Sequence, residues 1–171
     1  MFQDHIGKPL RRVEDRRFLS GYGEYLDDVS LTGMAHGALL YSPHAHAYVR
    51  DLDTTSALKL PGVIAVYTAA DLIAAGLGEI VMRATVSSRD DKSMAKPSRP
   101  ILADGKVRFA GDAIAFVVAE TQAAARAAVE LIDVDYEPLP AVIDPRAALE
   151  AGAPQVWEGV DGNLCVDYAA G

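Results

Sequence analysis

The chain has 171 residues, half of them hydrophobic, and a formal net charge of −8, enough for one domain with a continuous core that needs no disulfide or metal staples. Its single cysteine, Cys165, excludes an intrachain disulfide and any iron–sulfur or zinc site built from several of its own thiolates. The charge is one-sided: residues 1–109 hold 14 Lys/Arg against 13 Asp/Glu, whereas residues 110–171 hold 2 against 11, which argues against nucleic acid and anionic membrane as partners.

The opening, residues 1–32, is polar and glycine-punctuated, with Lys8, Arg11, Arg12, Arg16 and Arg17 close together. It sustains neither a helical nor a strand period and reads as an extended N-terminal arm holding one short helical turn. The basic stretch 8–17 lacks the apolar core and cleavage site of a secretory signal. Regular structure is expected from Gly33. Residues 34–41 (MAHGALLY) and 47–53 (AYVRDLD) read as strands separated by a turn at Ser42, Pro43 and His44. A short helix over 56–60 ends at Pro61 and Gly62, and 63–67 (VIAVY) is a β-branched interior strand. Thr68 is placed to cap a helix that stops at Gly76.

Residues 83–99 (RATVSSRDDKSMAKPSR) are charged and unpatterned, which predicts a mobile surface loop. In 101–109, Asp104 followed by Gly105 is a type I′ signal and predicts a tight hairpin. The apolar run 113–119 (AIAFVVA) predicts a strand buried on both faces; it is also the longest apolar run, far too short to span a bilayer. A cytoplasmic protein without a transmembrane segment is expected. Thr121 caps the clearest helix, running to about Leu131, with Gln122, Arg126, Glu130 and Asp133 forming one polar stripe on an alanine-rich cylinder. Residues 132–137 alternate, with Ile132, Val134 and Tyr136 facing one way and Asp133, Asp135 and Glu137 the other, as in a half-exposed strand. Asp144 and Pro145 open a short helix ending near Gly152. Residues 153–171 read as a C-terminal tail. The order suggests an α+β fold, a mixed β-sheet with packed helices over 33–152.

No constellation in the sequence assembles a nucleophile, a base and an orienting group. His44 and His46 at strand spacing resemble a ligand pair, but His5 and His36 are the only further histidines, and flanking a turn is a common place for polar surface residues. Gly21, Tyr22 and Gly23 lack the preceding strand and following helix of a phosphate loop. Asp27 with Asp28, and Asp90 with Asp91, are adjacent pairs whose side chains tend to diverge as solvated carboxylates. Gly111, ahead of Asp112, permits a backbone bend before the central strand. Trp157 either caps an apolar patch or anchors the tail to a partner. No catalytic, cofactor-binding or metal-binding residue is assigned.

Four ordered stretches resemble the start of large subunits of the molybdenum-hydroxylase family, which includes aerobic carbon monoxide dehydrogenase, xanthine dehydrogenase and aldehyde oxidase. They are residues 7–28 (GKPLRRVEDRRFLSGYGEYLDD), 33–53 (GMAHGALLYSPHAHAYVRDLD), 60–72 (LPGVIAVYTAADL) and 106–145, which contains KVRFAGDAIAFVVAET and VDYEPLPAVIDP. The opening resembles the carbon monoxide dehydrogenase-like branch more than eukaryotic xanthine dehydrogenases. The resemblance implies an α/β hammerhead domain, a structural and assembly unit that lacks the molybdenum site and is inactive alone. It implies a parent oxidoreductase that uses molybdopterin cytosine dinucleotide, with FAD and [2Fe–2S] clusters in partner subunits or domains. The implied partners are the remaining molybdenum-binding part of the large subunit, the FAD and iron–sulfur subunits, and a homo-oligomeric copy. The tail would lead to the molybdenum-binding domain, with the arm and loop 83–99 packing on it or on a neighbouring subunit. Two alternatives are one piece of a split, active large subunit and a stand-alone binding module for a small ligand or protein.

Overall fold

The computed structural model describes residues 7–90 and 92–168; His5 and Asp91 lie outside them. Residues up to Met34 and residues from Ala35 onward form two separate units. In the first, helix α1 (Asp15–Leu19) is followed by a 3₁₀ turn at Leu26–Asp28. Phe18 stacks on Tyr25 at 5.6 Å between ring centroids. A Cβ on Gly23 would lie 2.5 Å from the Phe18 ring, so glycine is what admits that close approach. None of the residues of either element is buried.

The second unit contains β1 (His36–Tyr41), β2 (Ala47–Asp53), α2 (Thr55–Leu58), β3 (Val63–Thr68), α3 (Ala69–Ala74), β4 (Lys106–Val107), β5 (Ala113–Ala119), α4 (Gln122–Val129) and β6 (Asp133–Pro138). The α+β class is as the sequence suggests. The pairing is more specific than one mixed sheet: there are two three-stranded sheets, β1-β5-β3 and β4-β2-β6, and every strand pair in them is antiparallel. An alternating or apolar run fixes which face a strand buries but not which neighbour it pairs with.

β5 is the central strand of its sheet, as its apolar run predicts. Ala115 and Val117 face a core built with Ala57, Ala128 and Ile132, whereas Ile114 faces a second core with Ala47, Ala103 and Val107. Leu40 and Leu52 pack against both. α4 lies on the first sheet, touching β1, β5 and β3. Its Thr121 hydroxyl accepts the Ala124 N–H (3.1 Å), and its buried face is Ala125 and Ala128, whose small side chains let the helix axis approach the strands. β6 alternates exposed Asp133, Asp135 and Glu137 with half-buried Val134 and Tyr136, as expected.

The expected hairpin at Asp104 and Gly105 is absent. β4 pairs with β2 instead of folding back on residues 101–103. A type I′ turn needs positive φ at both central residues, and only Gly105 has it, at +62°. Its carbonyl accepts the Val49 N–H (3.0 Å), and the Ala103 N–H is already committed to the Ala113 carbonyl (2.7 Å). The expected helix after Asp144 is a single 3₁₀ turn, Ala147–Leu149. Among the described residues no helix is long and apolar enough to cross a membrane.

Candidate functional site

The turn between β1 and β2 holds both histidines of the sequence pair, and it sends them to different surroundings. The buried His46 ring donates from Nδ1 to the Pro140 carbonyl (2.8 Å), which fixes the proton on that nitrogen because a carbonyl only accepts. Its Nε2 is buried without a partner. His44 instead stacks on Tyr136 with ring centroids 4.7 Å apart, and burial pushes the Tyr136 phenol pKa up. Ser42 organises the turn: its hydroxyl accepts the His44 N–H (3.0 Å). Its backbone exchanges hydrogen bonds with Gly111 and Asp112, 2.8 Å each. Gly111 has φ +90°, so the bend expected before the central strand is real and requires glycine there.

The remaining sequence candidates separate. Gly21 follows α1 at φ +78°, and Gly23 faces the Phe18 ring. Asp28 accepts the Tyr25 N–H (3.0 Å), a local turn contact. Asp90 pairs with Lys92 at 2.7 Å, which holds its carboxyl below the usual range. Cys165 is exposed.

The densest polar cluster lies where β4 meets the tail. The nearly buried Lys106 ammonium reaches one oxygen of Glu158 at 2.8 Å, and a terminal nitrogen of Arg108 reaches the other at 3.0 Å. Hydrogen bonding to Lys106 is the chief reason that the Glu158 carboxyl is held at about 2, with a contribution from Arg108. The Arg108 guanidinium lies 4.3 Å from the Trp157 ring centroid, and Lys106 lies 5.5 Å from that of Tyr48. The Arg108 backbone N–H donates to the Asp112 carboxylate (3.0 Å), although burial pushes the Asp112 pKa up. The second terminal nitrogen of Arg108 donates to the Lys106 carbonyl (3.1 Å), leaving its buried Nε without a partner.

Further contacts pin the tail. Asn163, with φ +57°, donates to the carbonyls of Ala148 and Pro154 (3.0 Å each) and accepts the Val156 N–H (2.9 Å). Farther on, Cys165 and Asp167 offer carbonyls to the N–H groups of Ala95 and Arg89, each at 2.8 Å. The segment 83–99 is therefore not without backbone partners. It is also closed at its base by the Ile80 N–H on the Arg99 carbonyl (2.8 Å) and bridged between Ser87 and Ser93.

Two open grooves of about 420 and 440 Å³ flank this cluster and share Pro100, Arg108 and Trp157. Their rims carry Ile73, Ile80, Ile101 and Phe109, which keep between 43% and 55% of their surface exposed. Periodicity missed this site because the tail has no period. The signal that was present is local: the sole tryptophan next to an acid, matched by two cations two residues apart in KVR.

The molybdopterin dinucleotide implied by the resemblance does not fit these grooves. A diphosphate needs several convergent N–H donors, and both terminal nitrogens of Arg108 are committed, leaving Nε and the neighbouring Arg99. Among the described residues, no three His, Cys, Asp or Glu side chains are grouped to hold a metal ion.

Residues 20–140 match the family model described as aldehyde oxidase and xanthine dehydrogenase, a/b hammerhead domain. The chain is 43% identical to the carbon monoxide dehydrogenase large chain of Afipia carboxidovorans, over 96% of its own length and 19% of that protein. It is 37% identical to the nicotine 6-hydroxylase large subunit of Paenarthrobacter nicotinovorans, over 86% of its length and 17% of that protein. Among solved structures, quinoline 2-oxidoreductase from Pseudomonas putida 86 superposes with a TM-score of 0.70 at 40% identity, over 86% of this chain and 18% of that one. The chain thus spans about a fifth of the length of these relatives. With a family match that covers most of it and a fold shared at this level of identity, the chain belongs to the α/β hammerhead domain family of aldehyde oxidases and xanthine dehydrogenases.

Proposed function

We propose that this chain is the structural and assembly domain of a molybdenum-hydroxylase large subunit, of the carbon monoxide dehydrogenase or xanthine/aldehyde dehydrogenase type, and is catalytically silent alone. One observation carries the reading: the match is to the hammerhead domain, and it occupies about a fifth of each relative. In this reading residues 1–32 are an arm, 33–152 the hammerhead, and 153–171 a tail leading to the molybdenum-binding domain. That domain holds molybdopterin as its cytosine dinucleotide, which supplies the redox centre that oxidises a small substrate with oxygen from water. FAD and two [2Fe–2S] clusters sit in companion subunits, consistent with the one cysteine available here. The assembled enzyme is cytoplasmic.

Substrate choice lies outside this domain. Similar chains at 37% identity or more occur in proteins named for carbon monoxide, nicotine and quinoline, molecules too different for one shared pocket. The test is to purify the 171-residue chain and measure its molybdenum and pterin content and its dye-coupled oxidation of carbon monoxide, aldehydes and N-heterocycles. The expected result is neither cofactor nor turnover. Stoichiometric molybdenum with turnover in this chain alone overturns the reading. A large subunit lacking residues 1–171 is expected to fail to assemble; one that assembles and turns over normally overturns it equally.

A further inference from the structure

The paired grooves around Trp157 carry features that the chain's own fold leaves unused. Their apolar rim is contributed by α3, by residues on both sides of segment 83–99 and by the β4–β5 connection, and it remains half exposed. Isolated surface hydrophobics need no explanation, but a contiguous apolar rim around a concave floor marks a contact surface. The floor is cationic. Arg99 and Arg108 line the second groove, against Asp112 alone. Asp112 is itself half-buried and bound to a backbone N–H. The buried Nε of Arg108 is a desolvated donor with no acceptor, a cost that an incoming acceptor would remove.

From this chemistry, and resting on the scaffold reading above, we infer that the grooves are the socket in which the remaining part of the large subunit docks. The occupant is a segment bearing an apolar or aromatic side chain beside a carboxylate. The apolar group fills the space between Ile80, Ile101 and Phe109, and the carboxylate meets Arg108 Nε and Arg99. Chain path favours this occupant over an external one. Residues 165–167 run against segment 83–99, and Cys165 forms part of the second groove's wall. Polypeptide continuing from the tail therefore starts at the rim, which makes docking intramolecular and raises the effective concentration. The outer face of the first sheet, with Tyr41 and Tyr67, is also apolar and partly exposed, but it offers no unpaired donor or charge to select an occupant.

Cys165 supplies a direct probe because its thiol is exposed and lies in the wall of the groove. Its alkylation by iodoacetamide is followed by mass spectrometry in the 171-residue chain and in the assembled, molybdenum-loaded large subunit. At least tenfold slower alkylation in the large subunit is expected. In that subunit Ile80→Asp with Phe109→Asp is expected to restore fast alkylation; the same pair in the 171-residue chain should leave its melting temperature unchanged, since both side chains are exposed. Equal alkylation rates in the two proteins overturn the socket while leaving the scaffold reading intact, because the subunit used is assembled and active. Protection that appears in the 171-residue chain as its concentration rises assigns the groove to a second copy and also overturns the proposal. Failure of the scaffold reading is separately visible, as molybdenum bound by the 171-residue chain itself.

Discussion

Glu158 holds two cations with one carboxylate, and the consequence is a pH dependence with a definite sign. Its pKa is 4.5 in the reference state and about 2 in the folded chain. A depressed carboxyl pKa contributes stability that is fully present above the unfolded value and is lost as pH falls towards the folded one. The window is therefore pH 4.5 down to about 2. Glu158 is itself 65% exposed, so solvent screening limits the pair energy, and Glu158→Gln is expected to cost about 1 kcal/mol at pH 7. Most of that cost falls on Lys106 and Arg108, only 10% and 13% exposed, which lose their counter-charge. Thermal melts of the wild type and Glu158→Gln should differ at pH 7 and converge near pH 2.5; a gap that persists or widens on acidification contradicts this assignment. Lys106→Met together with Glu158→Gln should cost less than the sum of the two single changes, because no buried ammonium is then left unpaired.

α4 shows how much of an element can be read from the sequence and where that reading stops. Its cap at Thr121, its polar stripe and its alanine face are all visible as pattern, and the structure places them as the pattern requires. The pattern also says which substitutions matter. Ala128 is fully buried against Val117 and Ile132 in the first core, while its neighbour Ala127 is exposed. Ala128→Leu forces added methylenes into a filled site and is expected to cost roughly 1–3 kcal/mol. Ala127→Leu should stay within about 0.5 kcal/mol. Urea denaturation followed by far-UV circular dichroism compares them, and equal midpoints would contradict the packing of α4 on the first sheet. Strand identity was equally legible in β5 and β6, because burial on two faces and on one face leave different hydropathy patterns. Strand partnership was not. Nothing local in KV says that β4 joins β2, and a turn-forming dipeptide misled because Asp104 stays out of positive φ. The contact of Phe116 with Gly37 was also invisible: a Cβ on Gly37 would lie 2.6 Å from the Phe116 ring, and that closeness arises from cross-strand register between segments far apart in sequence.

At the scale of the whole molecule, the two cores and the tail are held by different physics. The cores are apolar and made by strands and α4. The tail is held by backbone carbonyls, by Asn163 and by the Lys106–Glu158–Arg108–Trp157 cluster, much of it partly exposed. Regions secured mainly by solvent-accessible polar contacts open at lower free energy than apolar cores. Trp157 is the only tryptophan and sits on Arg108, so its fluorescence reports tail docking while circular dichroism reports the sheets. The tail is expected to release first, with a fluorescence midpoint roughly 1 M urea below the circular dichroism midpoint, given slopes of about 1–3 kcal/mol/M. Raising ionic strength should lower the fluorescence midpoint further by screening the Glu158 pairs, and leave the circular dichroism midpoint nearly in place. Coincident transitions at every salt concentration would show that tail and cores form one cooperative unit, and the mixed apolar and cationic floor around Trp157 would then be as rigid as the sheets. A separable tail, by contrast, means that the groove is completed only while Glu158 keeps its charge and Trp157 stays on Arg108, so the contact surface depends on the acidic end of the chain that carries its whole charge imbalance.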